Sequence, residues 1–167
     1  MGRLSPLQQS VEELKEILSE ELTIYQKLRS FARDKKKLLL EKFSTDLQTI
    51  VTQEEILVQR LIDLEQLRRD LVAKIAGSTN ASLDAAIEKV ADADSKSDLW
   101  LLGSQLRDLM TEIKLINDEN QKLLEQALEL TQYSIKLITR VPEDVTYGPG
   151  GKQSPKRPGS VLIDRKA

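Results

Sequence analysis

The chain has 167 residues, 31% of them charged, with 25 basic against 27 acidic side chains and a formal net charge of −2. That length suits one domain, and the near balance of signs argues against nucleic acid as the main partner, because neutralising phosphates needs a basic excess. Cysteine and histidine are both absent, which removes disulfides, thiol nucleophiles, Cys/His zinc sites and imidazole as a base or metal ligand.

In chain order, Met1-Gly2-Arg3-Leu4-Ser5-Pro6 lacks the apolar core of a signal peptide. No later stretch is apolar for long enough to span a membrane. A reducing cytoplasm is the expected compartment. Periodicity opens at Pro6, a good first-turn residue. Leu7, Val11, Leu14, Leu18, Tyr25, Leu28 and Ala32 keep heptad spacing, interrupted at Glu21, while Ile17, Ile24 and Phe31 widen the apolar face. Acids cluster early (Glu12, Glu13, Glu16, Glu20, Glu21) and bases late (Arg29, Arg33, Lys35, Lys36, Lys37), which suits the helix dipole. The pattern predicts a helix over about 7–43, its basic run reading as a solvated helix end rather than a binding patch.

Around Lys42 to Asp46 the period slips, and Thr45-x-x-Gln48 reads as a capping box for a second helix, 45–76. Its core row is Leu47, Ile50, Leu57, Leu61, Leu64, Leu71 and Ile75, with Val51, Val58 and Val72 beside it. Glu54 and Arg68 interrupt the seam, where long side chains are expected to snorkel at the bundle edge. Glu65-Gln66-Leu67-Arg68-Arg69, taken alone, reads as an exposed helix face. Gly77-Ser78-Thr79-Asn80 ends the helix with a residue that tolerates a left-handed backbone, then turn formers. Ser82 is placed to cap a short helix over about 82–92 through Ala85, Ile87 and Val90. In the loop that follows, Ser97 is the expected cap of the next helix. Asp92 and Asp94 lack the turn glycine and closing bidentate Glu of a calcium loop.

The longest unbroken pattern covers 97–139 and is expected to organise the bundle. Leu99, Leu106, Ile113, Asn120, Ala127 and Ser134 fall one heptad apart, interleaved with Leu102, Leu109, Ile116, Leu123, Leu130 and Leu137, the a/d seam of helices packed at a shallow angle. Asn120 is the one large polar residue on that seam, and such an Asn fixes register by requiring a polar partner across the interface. Asn117 sits one turn earlier on the flanking row of Gly103, Met110, Leu124, Thr131 and Ile138, able to bond along its own helix or to a neighbour. Trp100, just off the seam, fits an aromatic anchor closing one end of the bundle. Past Arg140 the prolines and the Tyr147-Gly148-Pro149-Gly150-Gly151 run cannot continue a helix. Residues 140–167 are therefore expected to be a flexible tail. Tyr147 in it is either a contact anchor or a side chain folded back on the bundle.

These elements make an all-α protein: an elongated antiparallel bundle of three long helices plus a short one over 1–139, with the tail beyond. No Gly-rich phosphate loop, nucleophile elbow or His-containing triad is present. The residues point to binding rather than catalysis, with no cofactor and no metal. A scaffold that merely oligomerises through its seam is the rival reading.

Three groups of residues resemble the FlgN family, the cytoplasmic chaperones of flagellar type III export. They are Leu64-Glu65-Gln66 with Arg68-Arg69, then Ile116-Asn117-x-x-Asn120-x-x-Leu123-Leu124-Glu125, then Tyr147-Gly148-x-x-Gly151. The resemblance covers nearly the whole chain. It implies a helical chaperone for hook-filament junction proteins of FlgK and FlgL type, covering a client's terminal amphipathic helix by helix-in-groove recognition. Carried over by position, the client site falls on Ile135, Leu137, Ile138, Val141 and Val145, with Ile135 off the seam and free for a client. The family's tail tyrosine, which contacts the FlhA-like export gate, corresponds to Tyr147, with Gly148 and Gly151 shaping its turn. Asn117, Asn120, Leu123 and Leu124 carry the family motif. Two departures stand out: an extra short helical piece between the second and third long helices, and a tail that runs on through Lys152, Lys156 and Arg157 to Val161-Leu162-Ile163.

Overall fold

Residues 2–41 and 46–139 are described by a computed structural model of the chain. They form α1 (Pro6–Leu40), α2 (Asp46–Ala76), the short α3 (Leu83–Glu88) and α4 (Ala93–Thr139). The all-α bundle expected from the heptads is what the chain adopts. Cross-helix pairs define its course. Glu21 with Arg68 and Lys35 with Glu54 make α1 and α2 antiparallel, while Lys15 with Asp98, Arg29 with Glu112 and Lys36 with Glu119 make α1 and α4 parallel. The path is up, down, up, with α3 bridging α2 and α4 at the lower end.

Local chemistry sets the helix ends. Ser5 caps α1: its Oγ accepts from the Gln8 N–H at 3.2 Å, and Gln8 Oε1 accepts from the Ser5 N–H at 2.9 Å. This capping box stands in the sequence as Ser5-x-x-Gln8 beside the N1 proline, a signal the periodicity reading passed over. Gly77 ends α2 with φ 73 and an N–H donated to the Ala73 carbonyl, as its position predicts. Lys89 Nζ reaches back to the Ala76 carbonyl at 2.6 Å, satisfying one of the open acceptors of that terminus. Ser82 caps α3 through the Ala85 N–H, although α3 stops at Glu88 rather than running to 92. Ser97 does not cap the long helix. Asp92 does, its Oδ2 accepting from the Ser95 N–H at 2.8 Å, so α4 begins four residues before the expected start. An acid one turn earlier both caps and complements the dipole, and Ser97 becomes an exposed residue inside the first turns. The expected cap at Thr45 lies outside the described residues.

The element the other two long helices pack on is α1, not the longest helix. It lies against both α2 and α4, and these two come nowhere within 8 Å of each other Cα to Cα. The core is thickest at the lower end, where Val11, Leu14 and Leu18 of α1 meet Leu71, Val72 and Ile75 of α2, Ala86 and Ile87 of α3, and Leu99 and Leu106 of α4. Trp100 packs against this cluster. A smaller cluster of Ile24, Leu28 and Leu64 follows, flanked by Leu57, Leu61 and Ile113. Above it the burial thins, and Leu47 and Ile50 are only half-buried.

Two of the three interruptions in the predicted seams turn out to face each other. Glu21 is 2% exposed and accepts from Arg68 at 3.1 Å. Arg68 therefore points inward instead of snorkelling at the edge. Glu54 likewise faces Lys35 at 2.8 Å in a partly buried pair. The basic run ending α1 stays partly solvated, with Arg33 and Lys37 exposed, yet it is also paired across the bundle: Arg29 and Arg33 both hold Glu112, Lys36 holds Glu119, and Lys35 holds Glu54. A central helix has acids on both flanks, so its long bases also reach across.

Candidate functional site

Two surfaces stand out against this frame. The first is a cleft of about 250 Å³ between α2 and α4, lined by Arg68, Arg69, Val72, Leu83, Leu106, Arg107 and Met110. Its three arginines suggest an anion site, but each already holds an acid. Arg68 is on Glu21, Arg69 on Glu65 and Arg107 on Asp84. The Arg68-Arg69 piece thus works at the α1–α2 contact and along α2 itself. Burial in the seam raises the Glu21 carboxyl pKa and Arg68 opposes the rise; burial beside Glu21 also raises that of the Tyr25 phenol.

The second surface is the upper part of α4. Glu119 and Asn120 make its last cross-helix bonds among the described residues. Asn120 is buried, and its Nδ2 donates to the Ala32 backbone carbonyl of α1 at 2.9 Å, while Oδ1 accepts from no described residue. The polar partner that a seam Asn requires is therefore a main-chain group on the neighbouring helix. Asn117 is exposed one turn below. Leu123 is half-buried, and from Leu124 to Thr139 every residue is exposed. The reason is length: α1 stops at Leu40, one turn beyond Lys36, whereas α4 continues for about 22 Å past Leu124 at 1.5 Å per residue.

That uncovered end is rich in large apolar side chains. Leu124, Leu128, Leu130, Ile135, Leu137 and Ile138 are all exposed, Ile138 to 83%. Leaving such a contiguous face open marks a contact surface rather than ordinary scatter. Of the residues that family resemblance assigns to the client, Ile135, Leu137 and Ile138 lie on it; Val141 and Val145 lie outside the described residues, as do Tyr147, Gly148 and Gly151. Within the motif positions, Asn120 faces α1 and Leu123 is half-buried, while Asn117 and Leu124 are exposed. Periodicity had placed Leu130 and Leu137 on a covered seam. Only the relative lengths of α1 and α4 reveal that their seam lacks a partner among the described residues.

None of the described helices is long and apolar enough to cross a membrane. No curated protein and no solved structure matches the chain. A family model does: that of the FlgN protein, over residues 1–155.

Proposed function

Because the chain belongs to the FlgN family, the flagellar export chaperones, we propose that it holds the terminal amphipathic helix of a hook-filament junction protein, of FlgK or FlgL type, on the uncovered end of α4. The observation that carries this reading is the run of exposed apolar residues from Leu124 to Ile138 on a helix whose lower part is covered by α1. An amphipathic helix laid on that face completes a seam that the described helices leave half-built. Covering the client's apolar face in the cytoplasm keeps it from self-association until export.

Delivery to an FlhA-like gate is assigned to the segment beyond α4, through Tyr147 with Gly148 and Gly151 in its turn, and rests on the family motif. Val141 and Val145 extend the client surface in the same reading. The test is binding of a purified junction protein by the full chain, by a chain ending at Thr139, and by Tyr147→Ala. Truncation is expected to keep helicity and melting while weakening client capture, and Tyr147→Ala to weaken gate docking alone. Undiminished capture by the truncated chain removes Val141 and Val145 from the site. Equal loss of both partners in Tyr147→Ala makes that side chain structural.

A further inference from the structure

The buried apolar side chains fall into two clusters, and a polar layer stands between them. On α1, Leu18 belongs to the lower cluster and Ile24 to the upper one, with Glu21 between; on α2, Leu71 is lower and Leu64 upper, with Arg68 between. Glu21 and Arg68 meet across the seam at 3.1 Å, with the carboxylate buried. A buried ion pair adds little over apolar side chains in its place, and this one breaks the apolar row along the α1–α2 contact. The half-buried side chains that touch both clusters, Ile17 and Tyr25, sit on α1. No described apolar residue of α2 touches both.

Above that layer α2 is held from one side. Not one of residues 46–63 is buried, whereas Leu71, Val72, Ile75 and Ala76 below it are. The Cα atoms of α4 do not come within 8 Å of those of α2, and the buried residues of α3, Ala86 and Ile87, lie in the lower cluster. The upper segment is tied to α1 through Leu64, the half-buried Leu57 and Leu61, and the ion pairs of Glu54 with Lys35 and Arg60 with Glu20. Both side chains of the second pair are largely solvated, so it holds weakly. At the same height α4 is pinned to α1 by Glu112, Glu119 and the buried Asn120.

We propose that residues 46–64 of α2 form a strap that detaches from α1 as a unit, hinged at the Glu21–Arg68 layer, while the lower core and the α1–α4 seam stay closed. Detachment takes the α2 cover off Ile24 and Leu28 of α1, which are buried in the closed form. Segments with few buried contacts open locally at less than the global cost. Once detached, the strap keeps little helicity, because its packed face supplied most of its stability. The opening belongs to this chain alone and does not depend on the client assignment above.

Amide hydrogen exchange on the full chain, at denaturant concentrations below the melt, tests the strap. Amides of residues 50–64 should exchange at one common level, at least about tenfold faster than those of residues 71–76 or of α4 from Leu99 to Asn120. Their dependence on denaturant should be shallower than that of global unfolding, because less surface is exposed. Glu21→Leu with Arg68→Leu joins the two clusters and should slow the strap amides about tenfold while leaving residues 71–76 unchanged. Lys35→Cys with Glu54→Cys, in a chain without other cysteines, lets a short thiol cross-linker hold the strap on α1, and closing the link should slow the strap amides most. Upper and lower α2 exchanging together overturns the proposal, as does opening of the α1–α4 seam along with the strap. A rate that rises steadily toward the end of α2 is fraying and overturns it too. So does a strap rate that the cross-link leaves unchanged, a result that decides the matter even where the leucine pair fails to fold. A folded leucine pair with the strap rate unchanged overturns the hinge at Glu21 and Arg68.

Discussion

The two halves of α4 carry the same heptad pattern and do different work. From Leu99 to Asn120 the seam is buried or half-buried, flanked by ion pairs of Glu112 and Glu119 with the bases of α1, and tied to α1 by the Asn120 bond to Ala32. From Leu124 onward the same rows lie open. A seam therefore records what a helix must bury, and the lengths of its neighbours decide whether the burial happens within the chain or with a partner. In this fold the lower half holds the bundle together and the upper half is stabilised mainly as a continuation of an already nucleated helix.

The contrast predicts opposite consequences for substitutions of similar size. The largest effect belongs to the lower core. Leu14→Ala, at a fully buried position in the core cluster to which all four helices contribute, should cost about 3 kcal/mol in a denaturant melt. Next is the buried pair. Arg68→Ala leaves Glu21 charged and 2% exposed without its partner, and should destabilise by about 3 kcal/mol, whereas replacing both residues with leucine should be close to neutral. In the upper half the prediction reverses. Leu130→Lys or Ile135→Lys should change stability by less than about 0.5 kcal/mol, yet remove most client capture in a binding titration. Comparable destabilisation by the lower and upper substitutions would erase the distinction between the halves.

Smaller effects sharpen the boundary. Asn120→Leu removes a buried carbonyl oxygen without a described partner, so stability should hold or rise by up to about 1 kcal/mol. The α1–α4 register should become less unique, seen as broadened amide resonances along both helices. The pH dependence is smaller still and has two signs. Glu21, raised by burial against the pull of Arg68, sheds its proton more easily in the unfolded chain, so its share of stability falls as pH rises from the ordinary carboxylate range to its raised folded value. Glu112, lowered by its hydrogen bond from Arg29, contributes stability above the ordinary carboxylate range that is lost as pH falls through its folded value. Glu21→Gln and Glu112→Gln should therefore alter the slope of stability against pH in opposite directions.

Much of this architecture is legible in the heptads. The three long helices, the glycine stop at Gly77 and the cap at Ser82 follow from spacing and local chemistry alone. Pairing is less legible because it is not local. Glu21 and Arg68 each look like a flaw in their own seam, and only the antiparallel docking of α1 on α2 makes them partners. The basic end of α1 reads only as solvated, and its ion pairs are not visible until Glu112 and Glu119, far along the chain, are brought beside it. At the start of α4 two residues could cap, and spacing alone does not choose between Asp92, which accepts from the Ser95 N–H, and Ser97. The candidate site is legible in part. Ile135, Leu137 and Ile138 follow from position in the family motif, but the apolar row of Leu128 and Ile135 acquires meaning only once α1 is seen to stop at Leu40.

Hydrogen exchange read along α4, with and without a purified junction protein, tests the division most directly. In the free chain the amides from Leu99 to Asn120 should exchange at the rate set by global unfolding, and those from Leu124 to Thr139 far faster. Adding the client should slow the upper set and leave the lower one unchanged. An upper half as protected as the lower in the free chain, or one indifferent to the client, would contradict the account.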